Sequence, residues 1–112
     1  MELVTEDKGS ALLLRPCGRL DASTAPEFEK HALEAISQGA TRFVVDLSSL
    51  DYVSSAGLRS LLVLAKRVKA GGGALAVCGL GGMVEEVFQI SGFHKLFPVA
   101  ATAAEALVLV GS

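Results

Sequence analysis

The chain has 112 residues, of which 51% are hydrophobic and 20% charged, and its formal net charge is −2. This composition is typical of one globular domain, residues 1–112, and excludes a disordered chain. Scattered Lys and Arg and few aromatic residues argue against nucleic-acid binding. The apolar runs are shorter than the roughly 20 residues that a membrane-spanning helix needs, and the first residues lack signal-peptide character. We therefore expect a cytoplasmic protein with no membrane partner.

Strand-like and helix-like patterns alternate along the chain. Strands are predicted at Leu3–Glu6, Ala11–Cys17, Arg42–Leu47 and Ala74–Cys78, with a short extended segment at Phe97–Val99. Helices are predicted from about Thr24 to Ser37, from Ser54 or Ser55 to Lys69, over Met83–Ile90 and over Thr102–Val110. The order β-β-α-β-α-β-α-β-α predicts an α/β fold with a mixed sheet.

Turn and cap residues refine these boundaries. Residues 7–10 predict a hairpin turn, and Pro16, which has no amide N–H, should face a sheet edge or end its strand. Thr24 and Glu27 have the spacing of a capping box at the start of the first helix. Residues 48–54 are predicted to form a loop. Because parallel strands end at one edge of a sheet, the segments 18–24, 48–55 and 79–82 should share a rim.

Cysteine and histidine positions offer little chemistry. Cys17 and Cys78 lie in apolar strands and are predicted to be buried thiols, without a disulfide or metal site. His31 and His94 are expected to be surface or half-buried residues. The Gly-x-Ser-x-Gly elbow of serine hydrolases is absent from the sequence, so we expect no catalytic residue, no enzyme activity and no cofactor.

Two serines mark the start of the second helix, within the segment Asp51–Arg59. The first amide N–H groups of a helix lack partners and the helix dipole is positive there, so a phosphate on Ser54 or Ser55 would be accommodated. Gly57 lets a neighbouring backbone or a partner approach closely. Plain N-capping by serine remains an alternative at this point.

Residues 44–59, Val-Val-Asp-Leu-Ser-Ser-Leu-Asp-Tyr-Val-Ser-Ser-Ala-Gly-Leu-Arg, resemble the central signature of bacterial anti-sigma factor antagonists and STAS domains. Residues 18–25, Gly-Arg-Leu-Asp-Ala-Ser-Thr-Ala, are similar to the second signature of that family. The resemblance covers essentially the whole chain. It implies a single STAS-type domain, a mixed β-sheet with the helices packed mainly on one side.

The same resemblance implies a function in partner switching. The unmodified protein would bind an anti-sigma factor with a GHKL-type serine kinase domain, that kinase would phosphorylate Ser55 and dissociate, and a PPM-type serine phosphatase would reset the switch. Ser54 is the alternative acceptor, because founding members carry Asp at that position. The predicted partner-binding residues are Asp21, Ser23, Tyr52, Ser54, Ser55, Ala56, Gly57, Arg59 and Val63.

Several alternatives stay open at this stage. Asp21 could repel a phosphate on Ser55 or orient its unmodified hydroxyl, or it could simply form an Asx-type turn. On the outward arc of the second helix, predicted to carry Arg59, Ser60, Val63 and Arg67, the valine is either a contact or a stray apolar residue. The chain could also be a STAS scaffold that is never phosphorylated, or a nucleotide-binding STAS module using residues 79–82. We expect a monomer.

Overall fold

The computed structural model describes residues 1–111, so Ser112, the last residue of the predicted domain, lies outside the described residues. Residues 1–111 contain six strands, namely β1 Glu2–Asp7, β2 Leu12–Leu20, β3 Arg42–Asp46, β4 Leu50–Val53, β5 Ala74–Cys78 and β6 Val99–Ala100. They also contain four α-helices, α1 Ala25–Ser37, α2 Ser55–Ala70, α3 Gly82–Ser91 and α4 Ala103–Leu109, and a short 3-10 helix at Phe93–Lys95. Apart from β4, this is the predicted order of elements.

The strands form one mixed sheet, as predicted. Its order is β1-β2-β3-β5-β6, and β4 pairs with β2 beyond the point where β2 leaves β3. The β1–β2 hairpin is antiparallel and the other pairings are parallel. The hairpin turn is closed by Asp7, whose Oδ1 accepts from the amide of Gly9 at 2.8 Å. Since Gly9 has φ +82°, a glycine suits this position best.

Two apolar cores lie on opposite faces of the sheet. Helices α1, α2 and α3 cover one face and build the larger core around the buried rings of Phe28, Phe43 and Phe88. Helix α4 covers part of the other face, where Ala106 and Val110 belong to the smaller core. Strands β3 and β5 supply side chains to both cores, which explains their nearly continuous apolar sequence. The prediction that the helices pack mainly on one side is confirmed.

Residues 50–53 correct the first of three local predictions. They were predicted as loop and form β4, with Arg19 opposite Tyr52 and Leu20 opposite Val53. The prediction for Pro16 is also wrong, because this residue lies inside β2 and not at an edge or an end. Strand β2 pairs with β3 up to Leu14 and with β4 from Gly18, so the missing amide N–H of Pro16 falls between the two parallel ladders.

The capping box at the start of α1 is the third correction. Thr24 is the N-cap residue, but its side chain makes no capping hydrogen bond to the helix. The Thr24 hydroxyl accepts from the amide of Asp21 at 2.9 Å and donates to the carbonyl of Arg19, also at 2.9 Å. Glu27 instead accepts from the amino group of Met1 at 2.8 Å. Tertiary contacts have therefore replaced the local reciprocal pair.

The length and polarity of the helices decide whether any of them could span a membrane. Within residues 1–111, each helix is too short or too polar to cross a lipid bilayer.

Candidate functional site

The carboxyl ends of β2 and β4 bring the two predicted signatures side by side. The amide of Gly18 donates to the carbonyl of Ser49 at 2.9 Å, and the amide of Ser54 donates to the carbonyl of Leu20 at 3.0 Å. The chain continues into Asp21 from β2 and into Ser54 from β4. The start of α1 and the start of α2 are thus neighbours on one rim of the sheet. We call this surface the signature rim; it comprises residues 19–24 and 51–59.

The two serines at the start of α2 have different environments. Ser54 is the N-cap residue in extended conformation, and its Oγ accepts from the amide of Gly57 at 3.2 Å. Ser55 is the first residue of the helix and is exposed, and among residues 1–111 no hydrogen bond uses its hydroxyl. The N-capping alternative therefore applies to Ser54, whereas the Ser55 hydroxyl is available to other molecules.

Gly57 fixes the position of this helix start. A Cβ at this residue would overlap the carbonyl oxygen of Leu20 and would lie 2.9 Å from Cγ2 of Val53. The predicted close approach of a neighbouring backbone is confirmed, and the neighbour is β2 of the same chain. Because Gly57 is buried, it supports the predicted docking surface from beneath and does not line it.

Asp21 is occupied by its own turn. Its Oδ1 accepts from the hydroxyl of Ser23 at 2.7 Å and from the amides of Ser23 and Thr24 at 3.0 and 3.3 Å. Hydrogen bonds, foremost from the Ser23 hydroxyl and also from Arg19, lower the pKa of the Asp21 carboxyl to about 2. The Asx-type turn is confirmed. In the described residues the carboxylate does not bond the hydroxyl of Ser55, so its predicted role in orienting that group is not observed.

Arg19 is a rim residue that the sequence did not single out. Its guanidinium carbon lies 4.3 Å from the ring centroid of Tyr52, a cation–π arrangement, and its Nε lies 3.4 Å from Oδ2 of Asp21. The pairing of β2 with β4 places Arg19 opposite Tyr52. A prediction of β4 would have revealed this pair, since residues opposite each other in a ladder interact.

The outer face of α2 agrees only in part with the predicted arc. Arg59 and Arg67 are exposed, and Ala56 and Val63 are half-buried. Ser60 was predicted to point outward, but it is fully buried and its hydroxyl donates to the carbonyl of Gly57 at 2.7 Å. This intrahelical hydrogen bond satisfies the hydroxyl, which makes the burial of a serine tolerable.

Asp46 is a second carboxylate with a lowered pKa, at the end of β3. Burial alone would raise the pKa of its carboxyl, but hydrogen bonds from Ser48 and Arg15 outweigh burial and hold the pKa below its ordinary value. The Arg15 Nε to Asp46 Oδ2 distance is 3.1 Å, and the Ser48 amide donates to Oδ1 at 3.0 Å. Gly79, at φ +74°, packs directly against this pair, where a Cβ would lie 2.6 Å from Asp46 Oδ1. The carboxylate therefore ties the end of β3 to β2 and to the turn that follows β3.

The glycines, cysteines and histidines considered from the sequence lie in a turn, in the core or at the surface. Residues 79–82 form the predicted tight strand-to-helix turn, beside a shallow cavity of about 280 Å³ that Leu47, Ser48 and Met83 help to line. Cys78 is buried as predicted, and burial raises the pKa of its thiol to about 11, whereas Cys17 is only half-buried. His31 is exposed, and the half-buried His94 has its Nδ1 3.2 Å from the carbonyl of Phe88.

Comparison with known proteins adds the family. A sequence model described as STAS domain matches residues 2–106. A relative from Bordetella bronchiseptica, named "Putative anti-sigma factor antagonist BtrV", is 41% identical over 98 residues, which cover 87% of this chain and 84% of the relative.

Two solved structures support the fold. An anti-sigma factor antagonist from Mycobacterium paratuberculosis has a TM-score of 0.89 and 24% identity, covering 99% of this chain and 94% of that chain. The Bacillus cell fate determinant SpoIIAA in its phosphorylated form has a TM-score of 0.75 and 24% identity, covering 97% of this chain and 99% of that chain.

Proposed function

Because the chain belongs to the STAS domain family, we propose that it is an anti-sigma factor antagonist that acts by binding and is switched off by phosphorylation of Ser55. The names of its relatives support the antagonist function. The solved structure of SpoIIAA in its phosphorylated form supports the idea that a protein of this fold can be phosphorylated. In this proposal one domain, residues 1–112, carries both the docking surface and the phosphorylation site.

The exposed hydroxyl of Ser55 is the single observation that carries this proposal. Ser54 already uses its Oγ to cap α2, so the adjacent Ser55 is the serine that a kinase can modify without removing the cap. Gly57 seats the first turn of α2 against Leu20, which holds Ser55 at the surface of the rim. A kinase would therefore find the acceptor in a defined position.

Phosphorylation changes the charge of the docking surface. The kinase transfers the γ-phosphoryl group of ATP to Oγ of Ser55, ADP leaves, and the proton of the hydroxyl is released. The product carries about −1.5 to −2 additional charge. A partner that buries this group without supplying cations loses about 2–4 kcal/mol of binding free energy, which weakens affinity about 30- to 1000-fold.

The proposed cycle needs three components. The unmodified protein binds an anti-sigma factor with a GHKL-type serine kinase domain and thereby releases a sigma factor or another client of that factor. The kinase domain then phosphorylates Ser55 and dissociates, and a PPM-type serine phosphatase regenerates the unmodified form. Asp21 and Asp51 add negative charge to the same rim. Together with the dianion on Ser55, they increase the repulsion between this rim and an acidic surface of the partner.

The neighbouring serines provide a matched test of the modification. The chain is incubated with its cognate GHKL-type kinase and ATP, and its intact mass is measured. We expect wild type and Ser54→Ala to gain one phosphate and Ser55→Ala to gain none. The reverse pattern would assign the phosphate to Ser54. No gain in any of the three proteins would leave the unphosphorylated scaffold as the function.

Binding to the same kinase tests the consequence of the charge. Ser55→Ala should bind as tightly as wild type and stay active in the presence of ATP. Ser55→Glu should bind more weakly, although one carboxylate imitates a phosphate incompletely. Ser10→Glu is the control, because Ser10 is exposed in the β1–β2 turn at the opposite edge of the sheet. Equal affinity of Ser55→Glu and wild type in calorimetry would contradict the repulsion mechanism.

A further inference from the structure

Ser55 and Arg59 lie one helical turn apart on the exposed side of α2. Residues four apart on a helix are neighbours, and both side chains are exposed. The Cα–Cβ bonds of a helix tilt toward its N-terminus, so a long side chain lies over the turn that precedes it. The Arg59 side chain is therefore directed toward the turn that carries Ser55.

Arg59 is an unpaired cation on a basic helix. Among residues 1–111 no carboxylate lies within 4.0 Å of its guanidinium, whereas Arg15 has two carboxylate neighbours and Arg19 has one. Helix α2 contains four basic residues, Arg59, Lys66, Arg67 and Lys69, and no acidic one. Because the whole chain has a net charge of −2, the rest of the chain taken together is net negative, and α2 is a basic surface beside Ser55.

We propose that Arg59 is the internal counter-ion of a phosphate on Ser55. The inference rests on the proposed phosphorylation of Ser55 and concerns its regulation. An arginine can donate two parallel hydrogen bonds to a phosphate, and the favourable order on a helix has the anion four residues before the cation. Arg19 is the other arginine of the signature rim, but the Tyr52 ring and Asp21 hold it in place.

This pair makes Arg59 part of the switch. In the unmodified protein the guanidinium is free to meet an acidic group on the docking surface of the kinase. In the phosphorylated protein the same guanidinium is held by the phosphate. Phosphorylation therefore adds a repulsive group and withdraws an attractive one in a single step.

The test uses phosphoserine placed at residue 55 during translation, so that no kinase is needed. The second proton dissociation of the phosphate, which has a pKa near 6, is followed by phosphorus NMR from about pH 4 to 8. We expect the acid dissociation constant of this second proton to be about two- to threefold larger in wild type than in Arg59→Gln, because the cation favours the dianion. Asp21, Arg19 and Asp51 are the same in both proteins, so the difference isolates Arg59.

Arg67→Gln is the matched control. It makes the same change in charge on the same exposed helix, about 18 Å along the axis from residue 55. It should titrate like wild type, and Arg59→Lys should retain part of the wild-type shift. The pair is refuted when Arg59→Gln titrates like wild type, or when Arg67→Gln changes the titration as much as Arg59→Gln does. Neither result bears on whether a kinase phosphorylates Ser55. Because the phosphoserine is placed during translation, the titration tests the pair even when no kinase modifies Ser55.

Discussion

The starts of α1 and α2 lie side by side on the signature rim, yet they use their polar groups in opposite ways. At α1, the side chains of Asp21, Ser23 and Thr24 bond one another or the adjacent backbone. At α2, Ser54 is the capping group and Ser55 is left exposed with its hydroxyl unused by the described residues. Two similar Ser-containing segments therefore differ in the polar groups that they leave free, because one start is closed by its own hydrogen bonds and the other is open.

The open start depends on close backbone packing, and Gly57→Ala breaks that packing most directly. The new Cβ would collide with backbone atoms of Leu20, which cannot move as a side-chain end can. We expect a loss of about 2–3 kcal/mol in the free energy of unfolding, measured by urea denaturation. Gly71→Ala, at the other end of the same helix, is the control, since its Cβ would meet backbone oxygens at 3.6 and 3.7 Å, an ordinary contact. Equal stabilities of the two variants would contradict the packing role of Gly57.

Replacement of each serine in turn separates the cap from the acceptor. Ser54→Ala removes the oxygen that accepts from Gly57 and should lower the free energy of unfolding by about 1 kcal/mol. Ser55→Ala removes an exposed hydroxyl and should change it by less than about 0.5 kcal/mol. Both values come from the same urea titration. A larger loss for Ser55→Ala than for Ser54→Ala would mean that the two environments have been assigned in the wrong order.

The closed start predicts a small dependence on pH. The pKa of Asp21 is about 2 in the folded protein, below the ordinary value of 3.8, so its stabilising contribution is present above about pH 4 and is lost as the pH falls through about 2. Asp21→Asn should therefore lower the urea midpoint at pH 6, and its difference from wild type should shrink toward pH 2. Asp51→Asn, which alters an exposed carboxylate that accepts no hydrogen bond in the described residues, should leave the midpoint unchanged. A difference for Asp21→Asn that stays constant with pH would argue against the ionised turn.

Residues 50–53 illustrate what single-sequence reasoning cannot see. Four residues between turn-forming neighbours carry too little periodicity to indicate a strand. They form β4 because β2 extends past β3 and offers an unpaired ladder beyond Pro16. That ladder exists only in the assembled sheet. The Arg19–Tyr52 contact depends on it and escaped prediction for the same reason.

Burial on α2 shows a second limit. The helical spacing of apolar residues along α2 predicts its inner face, and three of those residues, Leu58, Leu61 and Val68, are buried. Ser60 is polar and was placed on the outer face, but the helix can bury its hydroxyl by bonding it to the Gly57 carbonyl. Residue polarity predicts exposure only on average, because an internal hydrogen bond offsets the loss of water.

The sequence by itself determined nearly all of the elements, the position where α2 starts and the pair of serines from which an acceptor could be chosen. These follow from apolar periodicity, glycine and capping chemistry, which act over a few neighbouring residues. Only the tertiary structure decided that Asp21 is engaged by its own turn, that Gly57 must yield space to Leu20 and that Ser55 and Arg59 are left available at the surface. Those outcomes depend on which atoms meet when strands distant in the chain pair side by side, and local patterns do not specify those contacts.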